Sequence, residues 1–250
     1  FSLINALADR ELRNYWASSG ATSLLPKFVD DMEMKMEYFD HCFIEGDTLE
    51  TSDVVNGGAE LFLYQSGYLT IKGYDDGVYI LGFPNFEVRK ALYRVVVPAL
   101  TMKSNSEVVS AQSFLRKMMQ DGNAAEAKKA LKALIADVPY SNKKMASMNM
   151  EERYRLIMST IFRALGFRVE VERMLATGRI DMIVEVPSFI YVLELKLSNN
   201  GGISAAESQI KEKRYTEPFK ADKRKIIALA VELDETGKGL IDWKEVDESL

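Results

Sequence analysis

The stretch GRIDMIVEVPSFIYVLELKL, Gly178 to Leu197, constrains the fold more than any other part of the sequence. Two apolar runs of strand composition flank Pro187 and Ser188, the turn chemistry available between them. A turn centred between those two residues sets Asp181 directly across from Glu194. Side chains alternate faces along a strand, so Asp181, Glu194 and Lys196 share one face, with opposed Cβ atoms about 5 Å apart. Ile183, Ile190 and Val192 lie on the same face, which puts the charges at the end of an apolar surface.

Like charges on paired strands repel, and one lysine leaves the trio net negative in a partly desolvated place. A divalent cation resolves the conflict. Magnesium takes one or two protein carboxylates and keeps waters that a phosphate oxygen can replace. The competing reading is an Asp/Glu/Lys salt-bridge cluster on an exposed face, which costs little and performs no chemistry. His41 and Cys42, the single histidine and cysteine of the chain, are remote in sequence and argue against a Cys/His zinc site.

At 250 residues and 47% hydrophobic composition, the chain can bury a core for one large domain or two ordinary ones. One cysteine excludes an internal disulfide framework, and no run approaches the roughly 18 apolar residues of a membrane span. The expected location is cytoplasmic. The chain starts at Phe1 without a secretory leader, so an excised fragment lacking an upstream part is expected. A net charge of −5 argues against a dedicated nucleic-acid coat. Local charge is more informative: Asp30, Asp31, Glu33, Glu37, Asp40, Glu45, Asp47 and Glu50 make the N-terminal third acidic, whereas Lys211, Lys213, Arg214, Lys220, Lys223, Arg224 and Lys225 cluster late. That cluster reads either as a solvated helix face and loop or as a phosphate-facing surface.

Residues 1 to about 49 read as loosely amphipathic helix. A helix, a hairpin and another helix follow, with strands near Tyr68 to Lys72 and Val78 to Leu81, a turn at Tyr74 to Gly77, and a helix carrying Val88, Leu92, Val95 and Val96. The hairpin suggests a winged-helix shape, without a basic recognition helix. Residues 105–136 predict two helices broken around Asp121 to Asn123, and DVPYSNKK reads as a linker. Next, MEERYRLIMSTIFRALGF places Tyr154, Ile157, Met158, Ile161, Phe162 and Leu165 on one stripe, with Gly166 as the stop. RVEVER, RIDMIVEV and FIYVLELKL read as strands, SAAESQIKEKRY as helix, and KIIALAV as a central strand. The order is αβββαβ.

GRID followed by YVLELKL, behind a helix from EERY to LGF and ahead of SAAESQIKEKRYTEPF, resembles the PD-(D/E)XK nuclease superfamily, and more narrowly its branch fused behind AAA-ATPase-like domains in bacteria. The resemblance covers residues 149–245 by motif. Upstream, FSLINALADRELRNYWASSGATSLL and LFLYQSGYLTIKGYD are similar to the tail of that ATPase-like module. The fold class it implies is α/β (α+β overall): a restriction-endonuclease-like αβββαβ core at 146–250, a helical linker region at 104–145, and a helical, winged-helix-like tail at 1–103.

Position by position, the resemblance makes Asp181 and Glu194 the acidic pair that binds Mg²⁺ or Mn²⁺, and Lys196 the lysine that aims the attacking water. Glu151 matches an acidic residue that adds a ligand or holds a water, and Gln209 a polar residue facing the site. A helix-surface role for Gln209 stays open. It also implies a nucleic-acid substrate, DNA in the first place, cut to a 5′-phosphate and a 3′-hydroxyl, with Lys211, Lys213, Arg214, Lys220, Lys223 and Arg224 on backbone phosphates. Two departures stand out. Lys213 occupies the place where some relatives carry an aromatic, and GxxxxGK[ST] is absent, TGKGL reading as a turn, so no ATP hydrolysis is expected. Two further readings remain: a nuclease fold kept as an inactive binding or regulatory module for nucleic acid or the ATPase partner, and an interaction domain built on the acidic N-terminal helices.

Overall fold

The computed structural model describes residues 36–51, 57–101, 103–136 and 148–247. Most of the N-terminal stretch expected to be helical, and the DVPYSNKK linker, lie outside them. The chain divides into two compact units, Phe1–Val96 and Val97–Leu250. Together they hold seven α-helices and two sheets among the described residues, a mixed α/β architecture. No helix among those residues is long and apolar enough to cross a membrane.

In the first unit, β1 (Cys42–Glu45), α1 (Gly46–Leu49), α2 (Gly58–Gln65), β2 (Thr70–Asp75) and β3 (Val78–Gly82) precede α3 (Phe86–Thr101). The sheet order is β1-β3-β2, all antiparallel. The expected helix through residue 49 is corrected here. Cys42 to Glu45 alternates buried and exposed, so Cys42 and Ile44 enter the core while Phe43 faces out, a period of two that only a strand satisfies. The hairpin is present, with Asp75 paired to Val78 and a two-residue turn, Asp76 and Gly77, at φ +41° and +84°. Its first strand starts at Thr70, because the Tyr68 and Leu69 amides are held by the Leu63 carbonyl at the end of α2.

The second unit contains α4 (Asn105–Gln120), α5 (Ala124–Ile135), α6 (Met150–Ala164), β4 (Arg168–Leu175), β5 (Gly178–Glu185), β6 (Phe189–Leu197), α7 (Gly202–Lys213), β7 (Lys225–Leu233) and β8 (Leu240–Val246). The five-stranded sheet runs in chain order, β4-β5-β6-β7-β8. All neighbours are antiparallel except β6 and β7, which are parallel and joined through α7. β8 extends the expected αβββαβ core at its far edge.

Local chemistry sets the helix ends. Asn149 and Glu152 form a reciprocal capping box at the start of α6, and Gly166, at φ +85°, closes it with Gly166 N–H on the Arg163 carbonyl and Phe167 N–H on the Phe162 carbonyl. The stripe from Tyr154 to Leu165 is buried as the spacing predicts. Each large apolar side chain so removed from water contributes about 1.5–3 kcal/mol, an upper bound for a realistic unfolded chain.

One sheet face, with Ile183, Ile190, Val192, Ala228 and Ala230, packs on Ala206 and Ile210 of α7. The opposite face is covered in part by the α4–α5 hairpin, the segment read from sequence as a connector. Tyr191 Oη donates to the Met119 carbonyl at 2.6 Å, and Trp243 Nε1 to the Ala124 carbonyl at 2.9 Å. Gly122, between the helices, lies so close to Phe189 that a Cβ there would collide with the ring, at a φ of +73° that already favours glycine.

Candidate active site

The β5–β6 ladder runs from Glu185 opposite Ile190 to Met182 opposite Leu193, the register expected from a turn at Pro187 and Ser188. There it stops, although β6 continues beside β7 to Leu197. The two strands fork, which frees the Leu195 amide on the β5 side. The Asp181 carboxylate takes that amide, Leu195 N–H donating to Oδ2 at 2.9 Å. Asp181 and Glu194 are 4% and 1% exposed, so neither charge is solvated by bulk water.

Lys196 Nζ donates to Glu194 Oε1 at 2.6 Å. Among the described residues no group donates to the buried Glu194 Oε2; the Asp181 carboxyl near it satisfies it only by sharing a proton. Burial first, and the Asp181 charge second, push the Glu194 carboxyl up to about 8, against the pull of Lys196. The Lys196 ammonium is held above its ordinary value: burial works against its charge, but its bond to Glu194 and the Glu194, Asp181 and Glu151 charges outweigh burial. Asp181, Glu194 and Lys196 thus form one electrostatic cluster, with Glu151 close enough to act on it.

Two members were not singled out from sequence. Arg155, on α6, is buried; its Nη2 lies 3.1 Å from Glu151 Oε1 and 3.5 Å from Asp181 Oδ1, and its Nη1 lies 2.8 Å from Glu172 Oε1. Glu172 also holds Arg179 Nη1 at 2.9 Å. In the β4–β5 register Glu172 falls between Val171, paired with Met182, and Arg173, paired with Ile180, hence level with Asp181, and its φ is +54°. A non-glycine residue in the left-handed region costs about 1–3 kcal/mol and persists where its surroundings fix it. The four-residue step from Glu151 to Arg155 is the signal that could have found the arginine.

Gln209 is half-buried on α7, and its Nε2 donates to the Tyr215 hydroxyl at 2.9 Å, which donates in turn to the Arg179 carbonyl at 2.7 Å. Burial first, with the Glu194 and Asp181 charges adding, raises the Tyr215 phenol. Tyr215, and not the exposed Lys213, is the aromatic that meets Gln209. Among the basic residues named from sequence, Lys211, Lys213, Arg214, Lys220 and Lys223 are exposed. Lys211 pairs with Glu207 at 3.0 Å and Lys220 with Glu217 at 2.6 Å. Arg224 is half-buried and bound by Asp222 at 2.7 Å and Glu185 at 2.8 Å.

No group of three or more His, Cys, Asp or Glu side chains converges as a metal cage among the described residues. The carboxylate pair nevertheless fits a hard dication: two buried acids, one with an oxygen that nothing satisfies, beside a single ammonium group.

A five-stranded mixed sheet with an Asp, a Glu and a Lys at a strand fork, flanked by helices, defines a restriction-endonuclease-like α/β core. Residues 149–243 match the family model described as the PD-(D/E)XK nuclease superfamily. That superfamily is generally one of nucleases that use divalent metals. The chain is also 25% identical to an uncharacterized protein in the vnfD 5′ region of Azotobacter chroococcum mcd 1, over 100% of this chain and 49% of that protein. It therefore spans about half the length of this curated relative. No solved structure matches the chain.

Proposed function

We propose that the second unit is a metal-dependent nuclease that hydrolyses phosphodiester bonds, DNA being the first substrate to test, with Asp181 and Glu194 holding Mg²⁺ or Mn²⁺. The observation that carries this reading is the unpartnered, buried Glu194 Oε2 beside Asp181. When bound, the cation polarises the scissile phosphate and lowers the pKa of a water. Asp181 orients its carboxylate through the Leu195 amide. Lys196 stands at Glu194 with its ammonium charge secured, ready to orient a nucleophilic water and to balance charge developing on phosphate. The exposed Lys211, Lys213, Arg214, Lys220 and Lys223 are proposed to meet backbone phosphates without reading bases, whereas Arg224 is bound to two carboxylates. We further propose that the first unit belongs to an ATPase-associated architecture; the resemblance of LFLYQSGYLTIKGYD supports it.

The test is incubation of plasmid, linear duplex and single-stranded DNA with and without Mg²⁺ or Mn²⁺, alongside Lys196→Ala. Metal-dependent cleavage that EDTA and the substitution both remove is expected; full activity of the variant defeats the assignment. A second reading, a binding module that does not cut, is favoured by the Arg155 contact to Asp181, which already neutralises part of the acidic pair. It is selected if DNA is retained and never cleaved with either metal.

A further inference from the structure

We propose that Arg155 is a positioning residue that orients Asp181 and withdraws Glu151 from the metal, so that the centre accepts one divalent cation and not two. The inference rests on the metal-dependent reading above.

The resemblance makes Glu151 an additional ligand, and a third carboxylate is what a second cation would need. In the structure the Glu151 Oε1 atom is engaged 3.1 Å from Arg155 Nη2. The pair is one helical turn apart, so α6 alone brings its members together. Arg155 cannot swing away to release Glu151, because its side chain is 8% exposed and Nη1 is tied to Glu172 at 2.8 Å. Glu172 is itself held by Arg179 and by its left-handed backbone. Moving a buried guanidinium out of three carboxylate contacts would strand charges on both sides.

The charge balance points the same way. With Glu194 ionised, as a metal ligand must be, four carboxylates, Glu151, Glu172, Asp181 and Glu194, face three cations, Arg155, Arg179 and Lys196, an excess of one negative charge. A single dication turns that excess into one positive charge, the complement of one phosphodiester. A second would leave three positive charges around two acids that are 4% and 1% exposed, where water screens poorly. Glu194 Oε2 is a buried acceptor without a hydrogen-bond partner, whereas Asp181 Oδ1 faces Arg155 at 3.5 Å.

The experiment is Mn²⁺ binding to the EDTA-stripped chain, followed by titration calorimetry and by electron paramagnetic resonance, which separates an isolated ion from a coupled pair. The wild-type chain should bind one Mn²⁺ with the spectrum of an isolated ion. Glu151→Gln should keep that stoichiometry, with Kd changed less than about threefold. Arg155→Gln should admit a second, coupled ion, Arg155→Lys should restore one, and adding Glu151→Gln to Arg155→Gln should remove the second. Two coupled ions in the wild type, or a loss of about tenfold or more in affinity for Glu151→Gln, overturns the inference. If the Arg155 variants fail to fold by circular dichroism, the wild type and Glu151→Gln decide it alone. No Mn²⁺ on the wild type overturns both this inference and the nuclease reading, whereas two ions together with cleavage overturns this inference only.

Discussion

The Asp181 carboxylate closes the strand fork by accepting the Leu195 amide at 2.9 Å, so one side chain does the work of the ladder bond that β5 no longer supplies. The same bond brings an anion next to Glu194 inside an apolar sheet. In the metal-free fold that anion helps to keep a proton on Glu194, which a bound cation would displace.

Asp181→Asn separates the two roles. An amide oxygen still accepts from Leu195, while the charge that raises Glu194 disappears. Cleavage should fall by about 100-fold or more, since a metal ligand and its field are both lost, yet the EDTA-treated variant should melt no lower than the wild type at pH 8.5. A melting temperature well below wild type would mean that Asp181 serves the fold more than the site.

Glu194 gives the metal-free protein a defined pH dependence. Its carboxyl, held near 8 by burial and by Asp181, keeps a proton in the folded state over a range in which the unfolded chain, titrating at its ordinary value, has lost it. The folded state binds more protons there, so stability is full on the acid side and is lost as pH rises through about 8. Lys196 is shifted upward from a value far more basic, so its contribution does not change within this window. In EDTA the melting temperature should drop by about 5 °C or more between pH 5 and pH 8.5, and Glu194→Gln should flatten the decline. A slope that survives in Glu194→Gln belongs to another group.

The fork could not be read in the sequence, although the hairpin around it could. Pro187 and Ser188 are strong turn residues between two apolar runs, and a period of two then sets every facing pair; for that reason Asp181, Glu194 and Lys196 emerged together. Arg155 did not, because an arginine on an amphipathic helix looks solvated until the sheet brings Asp181 and Glu172 around it. β8 was missed since Asp242, Lys244 and Glu245 interrupt its apolar alternation, and it pairs on one side only. In Cys42 to Glu45 the outward Phe43 is itself apolar, which hides the alternation in the sequence, and pairing with β3 decides its conformation.

The α4–α5 hairpin should prove part of the second unit's fold. It covers Tyr191, Phe189 and Trp243, and removing it would uncover those rings and leave the Tyr191 hydroxyl and the Trp243 indole N–H without their carbonyl partners. A fragment of residues 103–247 should unfold cooperatively, whereas 148–247 should aggregate or bind a hydrophobic dye. Equal cooperativity of the two fragments in urea would show the hairpin to be dispensable.

Tyr215→Phe tests whether the strut beneath the site matters to its chemistry. The hydroxyl links Gln209 on α7 to the Arg179 carbonyl on β5, two residues from Asp181, through bonds of 2.9 and 2.7 Å. Phenylalanine keeps the ring that packs among Ile180, Ile210 and Phe219 and removes those two bonds. The loss of stability should be about 1–3 kcal/mol, because the Arg179 carbonyl and the Gln209 amide lose a buried partner. If the strut sets the height of Asp181 at the fork, kcat should fall several-fold while the KM for DNA stays within about twofold. A change confined to KM would place the Gln209–Tyr215 pair on the substrate-binding surface instead, and would be checked by its salt dependence.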